Sequence, residues 1–240
     1  MTARREAGST EGLFLAAKGG HNNESHNHND IGNFIVYSDG RPVLVDAGVD
    51  DYTRKTFRDS RYEIWTMRSG YHSLPTINGI LQKEGEKYSA SEVEYSQKED
   101  GATLRLDISR AYPTEAGVRS WVRAVDFVNG DRITVTDSYE LEIANEICMS
   151  LLTPCDVIQE VPGRLDLKET DFGKGFVSGS AMVGYDSGMF EVTQEKVPID
   201  GDRLTKVWGD CLTKITLTAM DPKLQDEWVL RIRGGMEKKG

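Results

Sequence analysis

Apolar and polar residues alternate along much of the chain. The alternation is clearest in Thr103–Ile108, Ser120–Val125, Arg132–Asp137 and Trp228–Arg233. Neighbouring side chains of a strand point to opposite faces, so each of these segments offers one apolar face to a core. Turn signals such as Glu99-Asp100-Gly101 separate the strands. The pattern predicts an all-β fold, a large antiparallel β-sandwich with little helix.

The domain organisation that we predict is simple. Residues 11–234 form a single sandwich domain, residues 1–10 form a flexible N-terminal segment, and residues 235–240 form a flexible tail. The best candidate for a helix is the short stretch Tyr52–Trp65, although its periodicity is weak.

Composition excludes several classes of protein. The chain has 240 residues and a net charge of −10, which argues against a nucleic-acid partner. No run approaches the about 18 apolar residues of a membrane span, so no membrane partner is expected. The three cysteines, Cys148, Cys155 and Cys211, are an odd number without a CxxC pair. A disulfide scaffold and a cysteine zinc knuckle are therefore not expected.

The four histidines carry the first chemical signal. His21, His26 and His28 fall within eight residues of each other, and His72 follows later. If the segment is extended, His26 and His28 share a face because they are two residues apart. The alternative is an Asn- and His-rich solvated loop without a metal.

A hairpin follows this cluster. Phe34–Tyr37 and Pro42–Asp46 read as two strands, and a turn signal separates them. Asp46 ends the returning strand and is expected to come level with His28. Two histidines and a carboxylate suit zinc, but the ligand types alone do not decide between a structural and a catalytic metal.

The motif region resembles the heparinase II/III-like C-terminal domain of polysaccharide lyases. The matching segments are Gly19–Asp30, Gly40–Gly48 and Tyr71–Pro75, followed by Asn78-Gly79 and Gln82. One departure is Ala47, which stands where family members commonly have proline.

The resemblance implies a function and a set of site residues. His28, Asp46 and His72 would bind a structural zinc, and His26 would face the substrate as the catalytic candidate. The reaction would be β-elimination on an acidic, uronic-acid-containing polysaccharide. In that family a helical toroid domain upstream supplies the remaining catalytic groups. We therefore expect this chain to be inactive alone, with that N-terminal domain as its partner and a periplasmic or secreted location.

Five further residues are candidates for substrate binding. Asn22, Asn27 and Asn29 can donate hydrogen bonds to charge that develops on the substrate. Arg58 and Arg61 belong to a locally basic stretch that can attract a polyanion despite the negative net charge. The alternatives are that the asparagines cap turns and that the arginines form ordinary surface ion pairs.

Two other functions remain open from the sequence. A cupin-like metal enzyme fits Gly20 followed after five residues by His26 and His28. The glutamate that a cupin requires is missing, since Gly32 and Asn33 occupy its places. A non-catalytic carbohydrate-binding β-sandwich is the second alternative. Metal content after replacement of His26 separates the cupin from the lyase, because only a cupin uses that residue as a ligand.

Overall fold

The structure, a computed structural model, describes residues 1–128, 131–173 and 175–235. Most of its regular elements are strands. In chain order they are β1 (Thr2–Arg4), β2 (Leu13–Ala17), β3 (His21–Asn22), β4 (Phe34–Ser38), β5 (Arg41–Leu44), β6 (Pro75–Ile77), β7 (Gly85–Ser89), β8 (Ser91–Lys98), β9 (Gly101–Asp107), β10 (Val118–Val128), β11 (Arg132–Leu141), β12 (Ile147–Thr153), β13 (Asp156–Ile158), β14 (Arg164–Lys168), β15 (Ala181–Gly184), β16 (Phe190–Pro198), β17 (Cys211–Ala219) and β18 (Gln225–Gly234).

One layer is an eight-stranded antiparallel sheet with the order β13-β14-β15-β18-β11-β10-β9-β8. Burial alternates along its central strands, as the sequence pattern predicts. On β10, Val125 pairs with Leu104 of β9 on one side and Val135 of β11 on the other. All three side chains are buried and belong to the main core.

The facing layer consists of two four-stranded sheets, β1-β2-β4-β5 and β16-β17-β12-β6. They meet along β12. Strand β6 pairs with Ile147–Met149, and further along β12 the carbonyl of Leu152 accepts a 2.9 Å hydrogen bond from the Val45 amide. One hydrophobic cluster includes buried residues from both layers, such as Leu15 of β2, Trp121 of β10 and Leu217 of β17. The predicted antiparallel β-sandwich is confirmed.

A second, smaller core lies beneath helix α1 (Asp202–Trp208). Leu204 and Trp208 pack there against Val45 and Ala47, and Trp208 Nε1 donates a 2.9 Å hydrogen bond to the Ala47 carbonyl. The helix ends at Gly209, whose positive φ of 73° suits glycine. This core fixes the backbone directly after β5.

Two stretches have local structure that the sequence pattern did not indicate. Thr2–Arg4 of the N-terminal segment pairs with β2, and the Met1 amino group donates a 2.8 Å hydrogen bond to the Ala17 carbonyl. The flexibility of residues 1–10 stays a prediction. The Tyr52–Trp65 stretch is not an α-helix. It contains the 3-10 helices Arg54–Phe57 and Asp59–Glu63 and the start of a third.

Two further observations concern the rest of the chain. Residues 236–240 of the predicted tail lie outside the described residues. No helix in the described ranges is long and apolar enough to cross a membrane.

Candidate metal centre and substrate site

Three separate segments bring the predicted metal ligands together. His28 lies in residues 23–33, the histidine loop, which connects β3 to β4. Asp46 follows β5, and His72 follows the 3-10 helix Ser69–Tyr71 just before β6. One ligand atom from each of the three residues lies within 4.8 Å of the other two.

The geometry of this cluster fits a metal ion. Asp46 Oδ2 lies 3.2 Å from His72 Nδ1, and Asp46 Oδ1 lies 3.8 Å from His28 Nδ1. His72 is 1% exposed, and neither of its ring nitrogens has a hydrogen bond of good geometry among the described residues. Buried polar atoms are rarely left without a partner. Imidazole nitrogen and carboxylate oxygen are ligands that zinc accepts.

The charges of the triad also suit metal binding. Burial lowers the pKa of His28 to about 4, and the positive charge of His72 acts in the same direction. Burial opposes the charged forms of His72 and Asp46 too, but their mutual attraction outweighs it, so the pKa of His72 is raised and that of Asp46 lowered. The lowered pKa keeps His28 neutral near pH 7, which is the form in which imidazole binds a metal.

Asn33 connects the Asp46 ligand to the His72 segment. Asp46 accepts hydrogen bonds from the Gly48 amide at 2.7 Å and from Asn33 Nδ2 at 3.3 Å. The same Asn33 accepts a 2.9 Å hydrogen bond from the Ser73 amide through Oδ1. One buried side chain thus holds the carboxylate in a fixed position relative to the residue after His72.

Gln82 holds the histidine loop in place through several hydrogen bonds. Its side chain exchanges hydrogen bonds with the backbone of Ile31, at 3.0 Å and 2.7 Å, and its Oε1 accepts from Asn22 Nδ2 at 3.2 Å. The Gln82 backbone accepts from Asn29 Nδ2 and donates to Ser69 Oγ. Gln82 is one of the residues that carry the resemblance, which implies no role for it.

A buried ion pair ties the same region to the large sheet. Arg123 of β10 and Asp137 of β11 form two hydrogen bonds of 2.8 Å, and both side chains are almost fully buried. Arg123 also donates to the carbonyls of Gly32, at 2.8 Å, and Ser73, at 2.7 Å. The sequence motifs did not point to this pair. A charged residue at an inward-facing position of an alternating strand could have indicated a buried ion pair.

His26 and His28 face different surroundings. His28 is buried, whereas His26 is exposed and has a φ of 59°. The condition for a shared face, an extended segment, is not met at His26, so the two side chains do not lie on one face. We call this change of side-chain direction between His26 and His28 the reversal. Asn27 stabilises it, because its carbonyl accepts a 2.7 Å hydrogen bond from Arg61 and its Oδ1 accepts one of 3.0 Å from Tyr62.

The predicted substrate-binding residues divide into two groups. Asn22, Asn27 and Asn29 are buried and bonded within the protein, which favours a role in shaping the histidine loop. Arg61 is partly buried and bonded to Asn27, while Arg58 is exposed. Contact of any of these side chains with substrate stays a prediction.

The fold and the cluster define a class, an antiparallel β-sandwich with a buried histidine and carboxylate site at one end of its facing layer. The family model for the heparinase II/III-like C-terminal domain matches residues 4–184, more than half of the chain. The chain therefore belongs to the heparinase II/III-like C-terminal family. A search of curated protein sequences returned no match.

Solved structures agree with this fold. The heparan sulfate lyase HepC from Pedobacter heparinus is 16% identical with a TM-score of 0.69, over 94% of this chain and 34% of its own. A heparinase III is 16% identical with a TM-score of 0.66, over 99% of this chain and 38% of its own. Another heparinase III is 12% identical with a TM-score of 0.71, over 94% and 33%. The chain thus spans about a third of the length of these proteins.

Proposed function

We propose that this chain is the C-terminal sandwich domain of a polysaccharide lyase that cleaves a uronic-acid-containing polysaccharide by β-elimination. Family membership supports the lyase class. The similar structures are described as a heparan sulfate lyase and as heparinase III, which supports an acidic polysaccharide as substrate. The observation that carries the proposal is the separation of a ligand triad, the buried His28 and His72 with the partly buried Asp46, from the exposed His26 next to it.

The reaction explains why an exposed histidine is useful. β-Elimination breaks the C5–H bond, forms a C4–C5 double bond and breaks the C4–O bond, whose oxygen takes up a proton. Negative charge builds on the uronate carboxylate as the C5 proton leaves. An imidazole can donate a hydrogen bond to that carboxylate or move a proton near neutral pH. His26 is the residue that we assign to this role.

The metal in this proposal is zinc, and its role is structural. Bound by His28, Asp46 and His72, it would hold the histidine loop against β5 and β6. The loop would then present His26 in a constant position. The chain's own residues supply the rest of the support, because Asn33 and Gln82 bind the same segments without a metal.

Elemental analysis of protein purified without added metal tests the assignment. We expect about one zinc per chain in the wild type and in His26→Ala, and a large loss in His28→Ala and His72→Ala. Loss of metal in His26→Ala would favour a shared ligand set of the cupin type. Equal metal content in all four proteins would remove the triad as the metal site.

In this proposal, the complete active site includes residues of a second domain. The chain spans about a third of the similar lyases, and we propose that an upstream helical domain of the same protein supplies the remaining acid–base groups. A periplasmic or secreted location is part of the same proposal. Activity of the chain with and without that domain is the direct test.

A further inference from the structure

Two large aromatic side chains are exposed side by side next to the histidine loop. Tyr52 is 48% exposed and Phe57 is 73% exposed. Their rings are stacked, with centroids 5.7 Å apart and planes 24° from parallel. We call this pair the aromatic platform. Adjacent exposed aromatic rings leave apolar surface in water, and such patches commonly mark binding sites.

The local backbone holds the platform in place. Thr53, between the two rings in sequence, caps the 3-10 helix Arg54–Phe57: its hydroxyl accepts a 3.2 Å hydrogen bond from the Lys55 amide. The buried Thr56 hydroxyl accepts a 3.0 Å hydrogen bond from the Thr53 amide in return. This reciprocal pair is a capping box, which fixes the entry of the helix and so the spacing of the two rings.

The platform lies between His26 and a cation from a distant part of the chain. The His26 ring packs edge-on against Tyr52 with 6.2 Å between centroids. The Arg203 guanidinium, from the exposed side of α1, lies 6.0 Å from the centre of the Tyr52 ring. Arg54 and Arg58 are exposed in the same run as Phe57. One guanidinium group therefore lies over an apolar surface that contacts the assigned active-site histidine, and two further exposed arginines flank Phe57 in sequence.

We propose that the aromatic platform is a subsite for one anionic sugar ring of the polysaccharide, directly beside His26. The inference rests on the proposed function and deepens it. The C–H bonds of a sugar face carry partial positive charge and meet the negative face of an aromatic ring. Guanidinium groups bind carboxylate and sulfate through charge-assisted hydrogen bonds. A ring with one apolar face and one anionic substituent satisfies both features.

Calorimetric binding of the 240-residue chain to acidic oligosaccharides tests this subsite. Heparan sulfate and alginate oligosaccharides of equal length are the probes, since the first carries sulfate and carboxylate and the second carboxylate alone. A neutral glucan oligosaccharide serves as the uncharged comparison. We expect measurable binding of at least one acidic probe and much weaker binding of the neutral one.

Variants of the platform should weaken binding selectively. We expect Phe57→Ala and Tyr52→Ala each to reduce affinity by about three- to tenfold, the scale of one lost aromatic contact. Phe57→Trp should retain affinity because it keeps the flat surface. Tyr95→Ala is the matched control, since Tyr95 is 56% exposed on β8 and lies outside the platform. It should bind like the wild type.

The anionic part of the subsite has its own test. Arg203→Gln should weaken acidic probes, reduce the dependence of their affinity on salt, and leave the neutral probe unchanged. Analytical sedimentation of the chain without sugar distinguishes a sugar site from a self-association surface. We expect the wild type and Phe57→Ala to have the same mass in solution. Self-association that this substitution abolishes would overturn the proposal.

The remaining outcomes separate the subsite from the proposed function. If the wild type binds acidic oligosaccharides and both platform variants bind equally well, the subsite is wrong and the lyase proposal stands. If Tyr95→Ala loses as much affinity as Phe57→Ala, the effect is not local and the subsite is wrong. If the wild type binds no acidic oligosaccharide at millimolar concentration, the subsite is wrong, and the activity of the chain joined to its upstream domain decides the lyase proposal separately.

Discussion

The positive φ of His26 places His26 and His28, which are two residues apart, in separate environments. A non-glycine residue in the left-handed region costs about 1–2 kcal/mol, and such residues often occur at functional sites. Here the Asn27 contacts with Arg61 and Tyr62 hold the reversal. His26 therefore stays exposed while His28 reaches the partly buried Asp46.

Substitutions at His26 should reveal this strain. Asparagine tolerates the left-handed region and valine does not, because valine is branched at Cβ. We expect His26→Val to lower the free energy of unfolding by about 1–2 kcal/mol relative to His26→Asn. Urea unfolding of both variants measures the difference, with zinc content checked to be equal. Equal stability would mean that the backbone at this position is not left-handed in solution.

The buried His28 predicts a pH dependence of the metal-free protein. Burial lowers its pKa to about 4, whereas the ordinary value is 6.5. Between these values the unfolded chain binds more protons, so the free energy of unfolding falls as pH falls from 6.5 to 4. The loss from this residue is at most about 3 kcal/mol. Denaturant unfolding of chelated wild type and His28→Asn at several pH values measures it. Parallel pH profiles would contradict the prediction.

At the scale of elements, β10 and β11 connect the large sheet to the candidate metal centre. The buried Arg123 and Asp137 belong to these strands, and Arg123 donates to the carbonyls of Gly32 and Ser73. Gly32 lies near the end of the histidine loop, and Ser73 follows His72. The strand pair thereby holds two segments together whose contact residues, Gly32 and Ser73, are 41 positions apart.

Removal of Arg123 should separate stability from metal affinity. Arg123→Met leaves the Asp137 charge buried without its partner, which costs about 3–5 kcal/mol. The double variant Arg123→Met with Asp137→Leu should recover part of that stability. Its zinc affinity should stay below that of the wild type, because the two carbonyls still lack their donor. Urea unfolding and competition with a chelator measure the two quantities.

Arg119→Met is the matched control on the same strand. Arg119 is exposed and pairs with Glu140 at the surface, where ion pairs contribute little. It should change neither stability nor zinc affinity appreciably. If the double variant binds zinc as tightly as this control, Arg123 does not position the ligands.

Strands such as β9, β10 and β11 were predictable because burial alternates along them. Phe34–Ser38 and Arg41–Leu44 form the hairpin that the alternation indicates. Helix α1 was not predictable, since only Leu204 and Trp208 of its seven residues are buried. Two contacts with the second core do not produce a helical period in the sequence.

The site was predictable only in part. The triad was assigned from the motif and its resemblance, and the structure brings the three residues together. The reversal at His26 was not predictable, because periodicity assumes a regular backbone and says nothing about a positive φ. The roles of Gln82 and Arg123 depend on contacts with residues about 50 to 90 positions away, which no local pattern contains.

At the scale of the whole molecule, the triad joins three segments of the same layer. A metal that binds only the folded chain stabilises it, by about 4 kcal/mol when free metal is a thousand times its dissociation constant. We expect chelation to lower the melting temperature of the wild type and to leave His72→Ala unchanged. Differential scanning calorimetry with and without chelator measures both. An unchanged wild type would exclude a structural metal under those conditions.

The largest-scale prediction concerns activity. Elimination needs a base, an acid and a group that neutralises the carboxylate, all within hydrogen-bond reach of the sugar. Among the described side chains around the histidine loop, the exposed group assigned to this chemistry is His26, and one positioned acid–base group contributes only about 10²–10⁴-fold. We expect the 240-residue chain alone to release no unsaturated product from heparan sulfate or alginate, as followed by the ultraviolet absorbance of the new double bond. The chain joined to an upstream helical domain should be active, and His26→Ala should abolish that activity without loss of zinc. Robust turnover by the chain alone, lost in His26→Ala, would show that the sandwich carries a complete active site and that the upstream domain is not required.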